Sequence, residues 1–589
     1  MIAGQQLDQA PEGDMAFRGV NLRLRPALLP AGFLSAGTNG RFTDRTYKPR
    51  SGFAIMPWAN TGTQNSPQAL SGALQGIGVF KDPDDTKWIV FAANGATYYT
   101  RPNQTARAIA LPAGVSLSGQ SLHFEQANGA LYMFRVAASG VAAAPLRLRE
   151  VTQDWEEIAQ LDNSPEYLAQ NPSDGTAVIP NAAWAVCLQN RLILPNVSLG
   201  RDVLSVSDYY NVTRFQPTLE SFRVSQPDDE AIFSAFEVPT PDDTPSSALL
   251  VGKENSIFVI TGIAGNLSGL RRQTVTLAYG LKLRRAIWSV GRDVWFVVPG
   301  RGVCSLTQTE QNKWQGVDIP MSAMDTDHGR WTDITPVIDR INWNASSVIR
   351  GTHVGNFSYV AVPLDGATSN NAILVFDHVN KSWTPYDTGV SVFDFIPFAV
   401  NGLERLLIMT NSGYLGVYEE GDVDHTSGSA SSAITHTWAT RGYATRSTLG
   451  RIRATALHLQ LKTRNPRYTL SAALDGVNES VTIASAKTKD RTKYYKPHTR
   501  PRWVATNANN DHATKFREDY SVDRTTGVNP GSNGIDPSLL QETTEHYRCG
   551  SAVRGQSIVF RGSNDQGVCE LHGVMIESVK VDKKKGVRA

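Results

Sequence analysis

Cysteine is scarce in this chain, with four among 589 residues, at positions 187, 304, 549 and 569. So few and so scattered, they exclude a disulfide framework and a cysteine-based zinc site. Cys549 and Cys569 fall in one region and could meet across two strands, although isolated cysteines of this kind are more often buried thiols. Long apolar runs are also absent. No stretch approaches the roughly 18 apolar residues needed to span a bilayer. The opening residues, MIAGQQLDQAPEGDMAF, lack the charged-then-apolar pattern of an export signal. The expectation is a chain made and folded in a cytoplasm, with a final place outside the cell still open to it inside a released particle. Charge of one sign is missing as well. Lys and Arg number 57 against 55 Asp and Glu, and a net charge of +2 gives no electrostatic case for wrapping nucleic acid.

The motifs of common enzyme chemistry are missing too. There is no G-x-x-x-x-G-K-[ST] phosphate loop, no G-x-S-x-G elbow and no H-E-x-x-H helix. The eleven His are scattered, and none forms a metal-ligand pair with a supporting carboxylate. No catalytic, metal or cofactor residue is expected, and the chain is read as a non-enzyme. Asp208, Asp228, Asp229, Glu230, Asp293 and Asp377 are the carboxylates that a propeller glycan hydrolase would need at its mouth. At strand ends and turns, however, Asp usually hydrogen-bonds backbone. The same reading applies to Asp82-Pro83-Asp84-Asp85 and Asp242-Asp243, which lack the D-x-D-x-D-G spacing of a calcium loop.

What is abundant is turn chemistry and aromatic residues: 49 Gly, 30 Pro, 12 Trp, 18 Tyr and 21 Phe, which favour short strands over long helices. Residues 356–389, NFSYVAVPLDGATSNNAILVFDHVNKSWTPYDTG, read as strand, polar loop, strand ending in Asp377, tight turn, then Trp383. This is one propeller blade, with Trp383 and Phe376 as packing residues and Asp377 as a turn acceptor. Units of the same plan recur at GIGVFKDPDDTKWIVFAANGATYYT, with a turn at Asn94-Gly95, and at SLHFEQANGALYMFRVAASG, with a turn at Asn128-Gly129. Others begin at Ala185, Ala248, Ile287 and Leu403. About seven units spaced roughly 45–60 residues apart match the period of propeller blades.

The predicted fold is therefore all-β: a degenerate β-propeller of five to seven blades, an extended N-terminal segment and a C-terminal β-sandwich or jelly-roll module. The expected boundaries are an arm and strap over 1–60, the propeller over 61–424, a small-residue linker over 425–432 and the module over 433–589. In the module, Leu457, Leu459 and Leu461 alternate with His458 and Gln460, the period of a half-buried strand. A polar insertion is assigned to 485–548, too long for an ordinary loop. Within it, Lys487–Trp503 carries seven basic residues against one acidic, interleaved with Tyr494, Tyr495 and Trp503. That pattern suits a docking arm for protein or for a phosphate backbone, or else a solvated loop.

Read together, these parts resemble the tail nozzle proteins of short-tailed double-stranded DNA phages, also called tail tubular protein B. The likeness is carried by Leu29-Pro30-Ala31-Gly32, Asn39 with Arg41, and Arg50-Ser51-Gly52. It continues in RLILPN with VLSVSDYYNVTRF, in LLVGKENSIFVITG followed by YGLKLRRAIWSVGRDVWFVVPGRGVCSL, and in residues 356–389. The resemblance implies a virion protein assembled in the host cytoplasm: a homohexameric ring at the tail tip, stacked on an adaptor ring protein. Such a ring passes double-stranded DNA through its lumen without specific binding and anchors tail fibre or spike proteins on its flank. The candidate inter-subunit contacts are then Pro30, Phe33 and Arg41 in the leading strap, and Lys487, Arg491, Tyr494, Tyr495, Arg500, Arg502 and Trp503 in the basic arm. Two other readings stand beside it: a receptor-binding or baseplate virion protein that binds host glycan, and a propeller glycan hydrolase or lyase.

Overall fold

The computed structural model describes residues 12–56, 74–102, 104–157, 179–209, 211–215, 220–225, 230–238, 248–263, 267–312, 319–327, 329–400, 402–427, 430–444, 451–474, 480–488, 503–504, 514–515, 541–549 and 553–581. The expected all-β propeller is present. Its hairpins form where the turn residues tolerate positive φ. Asn94-Gly95 (φ 50° and 81°) joins Lys87–Ala93 to Ala96–Thr100, and Asn128-Gly129 (φ 45° and 75°) joins Ser121–Ala127 to Ala130–Val136. Positive φ at both central positions matches the twist of the flanking strands. Gln189-Asn190 makes the same kind of turn without glycine.

Among the described residues five sheets stand as discrete blades. Four have four strands, spanning Leu74–Ile109, Ser121–Glu157, Val186–Arg223 and Ser234–Thr276, and the fifth has three, spanning Ile287–Ser305. A ten-stranded composite sheet supplies two further blade positions. Its first half runs from Arg350–Val354 to Asn370–Asp377, and its second from Asp387–Val400 to Leu415–Tyr418.

The apolar clusters between neighbours form a closed circuit. Blade one packs Phe80 and Val90 on Leu131 and Met133 of blade two, which turns Phe134 to Leu192 of blade three. Leu204 of blade three meets Leu249 of blade four, and Leu250 of blade four meets Phe296 of blade five. Trp295 of blade five meets Phe376, and Tyr359 meets Phe395 across the two halves of the composite sheet. Ile396 and Leu407 then return to Ile89 and Phe91 of blade one. Each blade buries both faces only because the ring closes.

Closure uses the N-terminus. Phe53–Ile55 pairs antiparallel with Leu415–Tyr418 as the fourth strand of the last blade, in the register Tyr418↔Phe53 and Gly416↔Ile55. The segment before it is more ordered than an extended arm. Glu12–Asp14, Ala36–Thr38 and Thr46–Pro49 are short strands of the C-terminal sheet, opposite Val574–Ile576, His436–Ala439 and Leu571. The strap is thus woven into both domains.

The C-terminal module is built as one hydrogen-bonded, eleven-stranded sheet around two long antiparallel strands, Arg451–Leu474 and Ser557–Val581. Leu457, Leu459 and Leu461 are buried and His458 and Gln460 are not, as the alternation predicts. The insertion needs correcting at both ends. Ser480–Thr488 pairs with the second half of the first long strand, and Gln541–Arg548 pairs with Ala456–Thr463. Both ends of 485–548 are therefore strand, because sheet pairing satisfies backbone groups whatever the polarity of the side chains. The linker also differs from expectation. Val423–His425 and Ser431–Ala433 form a hairpin on the propeller sheet.

A buried polar joint holds strap to propeller. Arg41 binds Asp387 through Nη1 (2.9 Å) and Nη2 (2.6 Å), and Glu419 through Nε (2.8 Å). Arg50 binds Asp424 through Nη1 (2.8 Å) and Nη2 (2.5 Å), and its Nε donates to Asn39 Oδ1 (3.1 Å). Tyr418 Oη donates to Asp387 Oδ2 at 2.7 Å. Burial opposes the charge on Arg41, but Asp387 and Glu419 outweigh it and hold the guanidinium above its ordinary range. Gly52 permits the approach, since a Cβ there would lie 2.0 Å from the Val423 carbonyl oxygen. Removing one member of such a pair leaves an uncompensated buried charge. Asp424→Ala is therefore expected to cost about 3–5 kcal/mol, read as a lower urea midpoint together with new protease cleavage between residues 20 and 50.

Candidate functional site

The first strand of each blade lies innermost, beside its counterpart in the next blade, as with Leu74–Lys81 and Ser121–Ala127, or Arg350–Val354 and Asp387–Val400. Side chains from these strands meet in a charged hub. In Ser121–Ala127 the period of two turns Phe124 into the packing between blades and gives His123 and Glu125 a common face. His123 Nε2 bonds the Ala185 carbonyl (2.9 Å), and Glu125 Oε1 accepts the Cys187 N–H (2.8 Å), tying blade two to blade three.

The 3-10 turn Arg284–Ala286 enters blade five, and its arginines reach across the ring. Arg285 donates to the Leu122 carbonyl of blade two and to Asp394 Oδ2 (3.0 Å), on the strand that opens the last blade. Arg350 Nε lies 3.6 Å from Asp394 Oδ1, beyond a hydrogen bond, while its Nη1 donates to the carbonyls of Ser347 and Ile349. Arg284 donates to the Ala183 carbonyl (3.4 Å) and sits over the Trp184 ring. The Nε atoms of Arg284 and Arg350 are buried without a hydrogen-bond partner. Beside Arg285 and Arg350 opens a cavity of about 410 Å³, bounded also by Gln75, Asn94, Ser118 and Gln120.

Three guanidiniums here face Asp394 and a carboxyl that resists ionising, Glu125, with Glu237, itself raised by burial, acting on Glu125. Burial lifts the Glu125 carboxyl to about 7, although the Cys187 N–H and Arg284 pull the other way. Burial, with the neighbouring Arg285 and Arg350, brings Arg284 down to about 9, and burial brings Arg350 to about 10 despite Asp394. His123 is held neutral by burial and by the adjacent arginines. The hub is short of negative charge.

The residues singled out from sequence lie elsewhere. Arg41 is buried within its own chain at the strap joint, where its guanidinium binds Asp387 and Glu419. Pro30 and Phe33 are half-buried in the strap, where Phe33 pairs with Gly19 in parallel. Lys487 stands opposite Tyr468 and Trp503 opposite Lys515 in backbone register. Arg491, Tyr494, Tyr495, Arg500 and Arg502 lie outside the described residues, as do Asp228, Asp229, Asp242 and Asp243.

The remaining carboxylates serve local structure. Asp208 pairs with Arg214, and Glu230 binds Asn255 and Ser256. Asp293 receives the Trp295 indole, Ser305 and the Thr307 N–H, and Asp377 receives the amides of Val379 and Asn380. Trp383 is fully buried against Phe376, as expected for a packing residue. Cys549 and Cys569 are both buried thiols. Ser358 Oγ lies 2.8 Å from His378 Nε2, but the hydroxyl is fully buried and takes the Trp288 indole N–H at 3.1 Å, so it bridges blades and is closed to substrate. Among the described residues no group of His, Cys, Asp and Glu is arranged to hold a metal ion.

No family model matches the chain, and no curated protein does. Among solved structures it is similar to PorZ, a surface component of the type-IX secretion system of Porphyromonas gingivalis, at 12% identity and a TM-score of 0.33. That alignment covers 67% of this chain and 44% of PorZ, so it spans less than half of that protein. It is also similar to BBS1N, solved in complex with ARL6DN, at 12% identity and a TM-score of 0.24, over 43% of this chain and 72% of the other. At that level of likeness neither bears on what this chain does.

The hub generates a pH effect of definite sign. The folded Glu125 carboxyl, at about 7, lies above its ordinary 4.5, so the folded state holds the extra proton. Stability from this group is complete below about 4.5 and is lost as pH rises through about 7. Glu125→Gln should remove that loss, stabilising the protein at pH 8 by about 1–3 kcal/mol relative to its advantage at pH 4. Urea midpoints across that pH range provide the check.

Proposed function

We propose that this chain is a structural subunit of a short-tailed phage tail, forming the distal nozzle as a homohexameric ring. In this reading the ring stacks on a tail adaptor ring, carries fibre or spike proteins on its flank and lets the DNA genome leave through its lumen. One observation carries most of the weight. The residues on which the resemblance rests in the leading segment, Asn39, Arg41 and Arg50-Ser51-Gly52, are those that weld strap to propeller. A motif with that role belongs to a shared architecture more than to a shared chemistry.

Two physical features support the same reading. Arg284 and Arg285 reach across the inner face of the propeller, which favours a DNA path between subunits over one along a propeller axis. The near-neutral chain gives passing DNA little to hold it, since phosphate affinity scales with the number of cationic contacts. Each half-exposed face of a subunit finds a complementary partner when a rotational ring closes.

Native mass measurement with negative-stain imaging tests the proposal. Six copies around a central hole are expected; a monomer under all conditions, or a trimer without a hole, would overturn it. Deleting residues 487–503 is expected to abolish the ring while the propeller stays folded, and hexamers from that deletion would remove the basic arm from the interface.

A further inference from the structure

Nothing in the nozzle reading accounts for the cavity beside the hub. Its charged lining is cationic only. Arg285 and Arg350 border it, and the other boundary groups named above are amides and hydroxyls. Among the described residues the one carboxylate paired with both arginines, Asp394, gives Arg285 a hydrogen bond at 3.0 Å and leaves Arg350 Nε at 3.6 Å. Arg350 is nine-tenths buried, and its Nε makes no hydrogen bond. Two guanidiniums bordering one open cavity, with a single carboxylate shared unequally between them, favour an incoming oxyanion, the group that best satisfies their planar forks of donors.

We propose that this cavity binds a small molecule through one oxyanion group, a phosphate or a carboxylate, held by Arg350 and Arg285. The volume of about 410 Å³ is that of a site for a sugar- or nucleotide-sized ligand and not for a polymer segment. Arg284 adds a third positive charge behind the two contact residues without touching the ligand. Ser118, exposed at the edge of the cavity, stands on the loop between blades one and two, so entry is from solvent. The site sits between blade one, blade five and the composite sheet, where a ligand would tie parts of the ring that are distant in sequence. It stands independently of the nozzle reading.

Titration calorimetry of the full chain with inorganic phosphate and, separately, with glucuronate tests this at constant ionic strength set by chloride. Saturable binding of either probe at low millimolar concentration is expected. Phosphate alone identifies a phosphoryl ligand, and glucuronate alone identifies a sugar carboxylate. Arg350→Gln should weaken binding by about tenfold or more, the loss of a charge-assisted pair. The exposed Arg405→Gln should leave it unchanged. If Arg350→Gln fails to fold, Ser118→Tyr decides the matter, since it fills the cavity mouth and keeps every arginine. No saturable binding to the native chain, or equal binding by the native chain and the folded variant, overturns the proposal.

Discussion

The pairing of Arg50 with Asp424, and of Arg41 with Asp387 and Glu419, is the constraint on which the rest of this structure depends. A propeller is stable only as a closed ring, because each blade has two apolar faces and needs two neighbours. Here closure is made by three residues, Phe53–Ile55, which come from the far end of the chain. Three residues of sheet pairing are a weak latch. The buried ion pairs of Arg41 and Arg50, just before that strand, fix its position, and Tyr418, itself a member of the closing blade, joins them through Asp387. The strap continues into the C-terminal sheet, and Phe17, Val20, Leu34, Phe42 and Tyr47 share one core with blade-five Trp288 and with Leu457 and Leu571. Propeller and module consequently share one core.

A second, smaller polar centre stands at the inner face of the ring, with a different character. The strap joint is matched in charge and geometry, with bidentate contacts to carboxylates. The hub is unmatched, with three arginines against Asp394 and a Glu125 that takes up a proton near neutrality. Matched buried charges hold a structure in one arrangement, whereas unmatched ones create a demand that a ligand can meet. This contrast is why we assign architecture to one and binding to the other.

Much of the fold was legible because turns write themselves in few residues. Asn94-Gly95 and Asn128-Gly129 need positive φ at both positions, and Asp377 followed by Asn380 and Trp383 marks a strand end, a turn and a packing residue. Closure was not legible, since Phe53–Ile55 is too short to carry a period and its partner lies hundreds of residues away. Gln541–Arg548 reads as polar loop, yet it is a strand because Ala456–Thr463 offers it a backbone ladder. Asn39, Arg41 and Gly52 stood out as a motif, but a motif does not say whether a charge faces solvent or a carboxylate from another part of the chain. In the hub only His123 and Glu125, two apart on one strand face, left a local signal. Arg284, Arg285, Arg350 and Asp394 become a cluster through the ring alone.

The claim that the latch holds the ring is tested most directly by hydrogen exchange at the amides of the Phe53–Ile55 strand. If the strand is the locked closure of the propeller, those amides that pair with Leu415–Tyr418 exchange as slowly as the inner amides of Leu403–Thr410 and only with global opening. Fast exchange at Phe53–Ile55 while Leu403–Thr410 stays protected would show a ring that stands without its latch, and would contradict the account.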